Sequence, residues 1–187
     1  MKRALIVLVL ATTAAVYAAM LLWSLPALTA IAATGGLADA RMFDMRPGGY
    51  DFDSAKALLV ALGEAGRAQY LSVQHKLDTI FPPLNGLSMF IGLTFVAARL
   101  GFGGRIAAAV AALLALAVAG FDLAENAAVA RLLRAGPEAI TPEMAQGASR
   151  LSVLKSTSVT VTLTVLLAGL AAVGFRGWRG MRKRDKS

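Results

Sequence analysis

Residues 106–121 are sixteen uncharged residues in a row, and the apolar pattern runs on to Arg131 with Asp122, Glu125 and Asn126 inside it. About 20 apolar residues in a helix cross about 30 Å of hydrocarbon, so the segment reads as a membrane helix that carries acids. Its Leu, Ile, Val and Phe residues, about nine of them, gain roughly 3 to 5 kcal/mol on insertion, whereas one carboxylate at mid-bilayer costs roughly 2.5 to 3.5 kcal/mol. Two central acids facing lipid would nearly cancel that gain. Asp122 and Glu125 therefore lie toward one membrane face, point into the protein or stay protonated, and each case makes them the first candidates for a site.

The rest of the composition agrees. Of 187 residues, 57% are hydrophobic and 16% charged, against about 25% charged in an average soluble domain. A soluble fold would have to hide several apolar runs of membrane-crossing length. The lack of cysteine excludes disulfides, thiolate catalysis and cysteine-ligated zinc. The net charge of +8 does not point to nucleic acid, because six of the nineteen basic residues are gathered between Arg176 and Lys186. Such a tail anchors the topology, and it is attracted to anionic lipid by about 1 kcal/mol per basic residue.

In chain order, a basic start leads into a first apolar run, at about 4–33, with Pro26 inside it. A signal peptide would have an apolar core of only about 7 to 15 residues. Although Ala30, Ile31 and Ala32 mimic a cleavage site, the longer run predicts an uncleaved span bent or ended near Pro26. The region 35–78 is an outer loop that includes a helix from about Ser54, capped by Asp53. On that helix Ala55, Leu59, Leu62, Gly66, Tyr70, Val73, Leu77 and Ile80 make one apolar stripe, while Lys56, Glu64, Arg67 and Gln74 fall off it. This predicts an amphipathic helix on the bilayer surface or over the helix mouths.

Pro82 and Pro83 are expected to kink or interrupt the entry to span two, at about 79–98. The glycine-rich turn 99–105 joins it to span three, at about 106–130. A second outer loop follows, 131–155, where Thr141 caps a short helix. Span four, at about 156–175, opens with valines and threonines in alternation, but lipid forbids the lone strand that this period suggests. As a helix it puts Ser152, Ser156, Thr160 and Thr164 on one face, a pattern of helix packing. The chain thus reads as one all-α integral membrane domain, a four-helix bundle with an amphipathic surface helix between spans one and two. Basic residues unaccompanied by acids gather at both ends and at 99–105, which predicts cytoplasmic termini.

With that topology the polar residues fall at one level, near the outer side. Asp122 lies about 25 Å along the helix from Arg105, and His75, Asp78, Asn85 and Lys155 flank the outer ends of their own spans. Asp122, Glu125 and Asn126 are one helical turn apart and share a face. Together with His75 and Asp78, the two acids are candidate acid–base groups. Asn126, Asn85, Tyr70, Gln74, Arg67 and Lys155 are candidate ligand-binding residues. The structural alternative is that Asp122 or Glu125 pairs with Lys155, Arg131 or Arg134 and only locks spans three and four together. No recognised ligand spacing supports a metal, and no phosphate loop or nucleophile elbow supports a cofactor.

The strings FDMRPGGYD (43–51), GEAGRAQYL (63–71), HKLDTIFPP (75–83) and DLAEN (122–126) resemble strings in small four-span bacterial membrane proteins of no assigned activity. The likeness covers most of the region 43–126, implies one structural unit and carries no chemistry over. The layout is also similar to that of proteins related to the emopamil-binding sterol isomerases, whose motifs do not align here. The expectation is a multi-pass inner-membrane protein that binds or processes a lipid or small apolar molecule in a polar pocket near the periplasmic side. The other expectation is an accessory subunit of a membrane complex, associated with a protein partner or with copies of itself.

Overall fold

The computed structural model describes residues 2–184, and its regular elements are all helical. The first rod is α1 (Lys2–Ala19), a π turn (Met20–Ser24) and α2 (Leu25–Thr34). A loop with one 3-10 turn (Phe43–Met45) leads to α3 (Phe52–Gln69), a second π turn (Tyr70–Gln74) and α4 (His75–Leu100). Then come α5 (Arg105–Ala135) and α6 (Pro142–Arg184). Four stretches are long and apolar enough to cross a membrane: Arg3–Thr34, Phe52–Leu100, Arg105–Ala135 and Pro142–Arg179. Alternate crossings place the start of α1, the 101–104 turn and the end of α6 at one end of the bundle. Arg176, donating from Nη1 to the Leu100 carbonyl at 2.9 Å, holds two of these together.

α4 is the central element, packed against α1, α5 and α6. Small residues let the helices close. A Cβ at Gly86 would lie 3.0 Å from the Ala115 carbonyl oxygen, and one at Gly169 would lie 2.3 Å from a Val96 methyl. In this half the large apolar side chains point outward, as at Ile106, Leu113, Leu116 and Leu167, the pattern of a surface solvated by lipid.

The other end is built differently. At 1.5 Å per residue the 31 residues of α5 reach about 46 Å, so about 15 Å extends past a 30 Å hydrocarbon layer. The overhanging ends form a cap with an ordinary closed core, in which Leu28, Phe43, Leu58, Leu59 and Leu132 are all fully buried. α2 lies on α3 there, and Gly35 comes so close that a Cβ would stand 2.0 Å from the Ala61 carbonyl oxygen.

Several expectations need correction. The 131–155 loop is mostly helix, since only 136–141 lies between α5 and α6. Pro142 starts α6 with its ring in the first turn, and the Thr141 hydroxyl accepts from the Met144 amide at 3.3 Å. The helix after the first loop is capped by Asp51, which accepts from Ser54 N–H at 2.7 Å, and not by Asp53. The Ser54 hydroxyl, and then this backbone bond, hold the Asp51 carboxyl below its usual range. The single stripe is broken twice, first at Gly63 (φ 61°, ψ −171°) and then by the Tyr70–Gln74 π turn. The first turns of α3 put their apolar face into the cap core. Pro82 and Pro83 do not interrupt α4, and Pro26 does not end the first rod.

A methyl group at Gly35 meets backbone, which has nowhere to move, so Gly35→Ala is expected to lower stability by about 1 to 3 kcal/mol. Gly120→Ala, with open space around its Cβ position, should leave it unchanged. Thermal unfolding of the two variants in detergent measures the difference.

Candidate functional site

The extra residue in the Tyr70–Gln74 π turn resets the phase of the helix, and it decides which side chains of α4 face inward. From Leu62 the buried positions run Gly66, Tyr70, Gln74, Asp78, Pro82, Gly86, each four residues after the last. In an uninterrupted α-helix steps of four drift around the axis. With the π turn, Gln74 and Asp78 come into the protein while Val73 and Leu77 are only half-buried. The two π turns of the chain pack against each other.

Pro82 then creates a local demand. It lacks the amide that would bond to the Asp78 carbonyl, and a carbonyl without a partner is costly where there is no water. Asn126 on α5 supplies the donor, with Nδ2 2.5 Å from that oxygen. The Asp78 carboxylate accepts from Gln74 Nε2 at 2.8 Å.

α5 and α6 contribute the charged part. Lys155 forms an ion pair with Glu125 and lies 3.6 Å from Asp122 Oδ1. The Glu125 side chain is fully buried, and the Ser152 hydroxyl also donates to it. Breaking one member of such a group leaves an uncompensated buried charge, at about 3 to 5 kcal/mol. Of the partners considered from sequence for Asp122 and Glu125, Lys155 is the one in place.

The 35–51 loop closes the site from the cap side. Tyr50 N–H donates to Ser149 Oγ at 2.8 Å, and Phe43 packs on the Tyr50 ring at 5.0 Å. Arg46 lies over both rings, and its partial burial holds its guanidinium below the usual range. Burial, and then the charge of Glu125, push the Tyr50 phenol up. This folding brings in Asp44, which accepts from Tyr70 OH at 2.6 Å.

Four of these groups border a cavity of about 630 Å³ between α1, α4 and α6, while Glu125, Asn126, Gln74 and Tyr70 stand behind its wall. Asp44, Asp78, Asp122 and Lys155 form its polar part, continued by Asn85, Ser156 and Thr160, and residues such as Leu10, Tyr17, Phe81 and Leu163 make the remainder apolar. The polar layer sits at a definite height. From Arg99 back to Asp78, and from Arg176 back to Lys155, the rise along the helix is about 31 Å, one hydrocarbon thickness. The arrangement can hold an elongated apolar molecule with a polar group against three carboxylates and an ammonium.

The structure brings together Asp78, Asp122, Glu125, Asn126, Gln74, Tyr70 and Lys155, with Asn85 on the cavity wall. It does not bring in His75 or Arg67. His75 is half-buried beside the charges of Arg134 and Asp44 and bonds to none of the buried acids. Arg67 donates to the carbonyls of Gly63 and Leu133, both at 3.1 Å, and so ties α3 to the end of α5. The face of Ser152, Ser156, Thr160 and Thr164 is not a single packing surface, because rows of four drift around the helix. Ser152 is buried, Thr160 and Thr164 are exposed, and Thr162 is buried instead. Asp44 and Tyr50 are absent from the sequence reading of the site. Asp44 stands in one of the quoted strings, but nothing there marks the loop as folding inward. Among the described residues no three His, Asp or Glu side chains are placed to hold a metal ion.

Asn126→Ala should cost about 1 to 3 kcal/mol by leaving the Asp78 carbonyl without a donor. The same change in a Pro82→Ala background, where the amide of residue 82 meets that carbonyl, should cost clearly less. Lys155→Met should be destabilising by about 3 to 5 kcal/mol, with much of that recovered by adding Glu125→Gln. Unfolding in detergent of single and double variants checks both couplings.

Comparison with protein-family models, with curated proteins and with solved structures gives no match for this chain.

Proposed function

We propose that the chain is a multi-pass membrane protein that binds, and in an enzymatic version processes, a lipid or small apolar molecule with a polar end. The supporting observation is the cavity of about 630 Å³, apolar along α1, α4 and α6 and bordered at one level by Asp44, Asp78, Asp122 and Lys155. Apolar walls with a few convergent polar groups are the usual make-up of a small-molecule site. A ligand head placed there lies within reach of both an ammonium and carboxylates, the groups that acid–base chemistry needs. His75 has no part in this version. In the proposed setting, a bacterial inner membrane, both termini are cytoplasmic and the cap with its polar layer is periplasmic, as the unaccompanied basic residues at the termini imply.

A second reading has its own observation. The contact of Lys155 with Glu125 and Asp122 locks α5 to α6, which is what an accessory or assembly subunit needs from its acids without any ligand.

Mass spectrometry of an organic extract of the purified protein separates the two. Under the binding reading an apolar compound co-purifies, and Val159→Trp, which fills the cavity, lowers its amount about tenfold or more while the protein still folds. Asp78→Asn should lower it as well. If no compound accompanies the protein and only changes at Lys155 or Glu125 reduce its level in the membrane, the packing reading stands. A reporter inserted within 136–141 is expected outside the cytoplasm, and a cytoplasmic signal there reverses the orientation.

A further inference from the structure

At the end of the bundle opposite the cap, a second cavity of about 500 Å³ opens between the last turns of α4, the 101–104 turn and the first turns of α5. Its back is made by Leu93, Val96 and Gly169, its open side by Ile106, Val110 and Leu114, and no polar side chain lines it. Ile106 is 83% exposed. From Ile106 to Leu114 the groove follows α5 for about 12 Å, starting at the arginine level and running into the apolar belt. The glycines at 101, 103 and 104 leave its mouth open, with space around each Cβ position.

The mouth is cationic. Arg105 directly precedes Ile106, and the Arg176 guanidinium is fixed beside the groove by its bond to the Leu100 carbonyl. Arg99 and Arg179 are exposed on the same end, and among the described residues none of these four forms an ion pair. Every acid of the described sequence lies on the cap side of the polar layer or within it.

We infer that this groove holds an acyl chain of an anionic phospholipid whose phosphate rests on Arg105 and Arg176. An apolar slot that begins at a rim of arginines, with no acid among the described residues at that end, matches a molecule with a negative head and a hydrocarbon tail in both halves. The site is separate from the cavity by Asp78 and stands whether or not that cavity takes a ligand.

The protein in mild detergent, titrated with phosphatidylglycerol or with phosphatidylcholine of the same chains, is read by native mass spectrometry. The anionic lipid is expected to bind more, by about fivefold for each arginine engaged. Arg105→Gln, which keeps the Arg176 contact to Leu100, should remove about one such factor, and adding Arg176→Gln should bring the two lipids level. Ala107→Phe, with Val110→Trp as the alternative where it does not purify, fills the groove and should lower retention of both. Changing Arg182, Lys183 and Arg184 to Gln should leave the preference in place. Equal binding of the two lipids to the unaltered protein overturns the inference, as does a preference that follows the tail and not Arg105. So does undiminished lipid on both groove-filling variants, including the case where filling the groove breaks a dimer of this chain instead.

Discussion

The ammonium of Lys155, lodged between Glu125 and Asp122, is the contact on which the polar layer depends. Burying an acid in a membrane bundle is tolerable when a cation shares the site, and burying a lysine is tolerable on the same condition. Each group therefore fixes the place of the others. α5 and α6 are held in one rotational setting, because any other would face an unpaired charge toward hydrocarbon. With that setting given, Asn126 falls opposite the carbonyl that Pro82 frees, and α4 is bound to the same layer.

Helix length explains why this layer lies where it does. At the cap end the helices overshoot the hydrocarbon, and that overhang packs as an aqueous domain does, with Phe43, Leu58 and Leu132 enclosed. The charges collect at the seam between the two regimes, about one bilayer thickness from the arginines of the opposite end. There they are shielded from lipid tails by the bundle and from bulk water by the cap. The cavity of about 630 Å³ reaches from this seam into the apolar belt.

Much of this was legible in the sequence. Four membrane-crossing stretches follow from hydropathy, and the common height of Asp78, Asp122 and Lys155 follows from counting residues along helices. The partnership of Lys155 with the two acids was one of the pairings that spacing allowed. What escaped has identifiable causes. Hydropathy marks where a span can begin and not where a helix does, so it starts span four near Ser156 and leaves only a short helix after Thr141, whereas α6 runs unbroken from Pro142. The π turn at Tyr70–Gln74 leaves no compositional trace, so three-residue spacing alone sets His75 beside Asp78, whereas it is Gln74 and Asp78 that turn inward together. Asp44 enters through long-range packing of Phe43, Tyr50 and Ser149, which no local pattern encodes.

The π turns carry one more implication, for how the gene can vary. An added residue in a helix is a register mark. Deleting any one residue within 70–74 would restore plain α geometry and rotate everything beyond it by about 100°. Asp78 would then swing out of the interior, the proline-freed carbonyl would leave Asn126, and Gly86 would lose its place against α5. Loss of the exposed Ala38 or Asp39, between α2 and α3, would leave the phase of every helix unchanged. Length changes should thus be forbidden in one five-residue window and permitted in another a few dozen positions earlier, although nothing in the residue types of the two windows announces the difference.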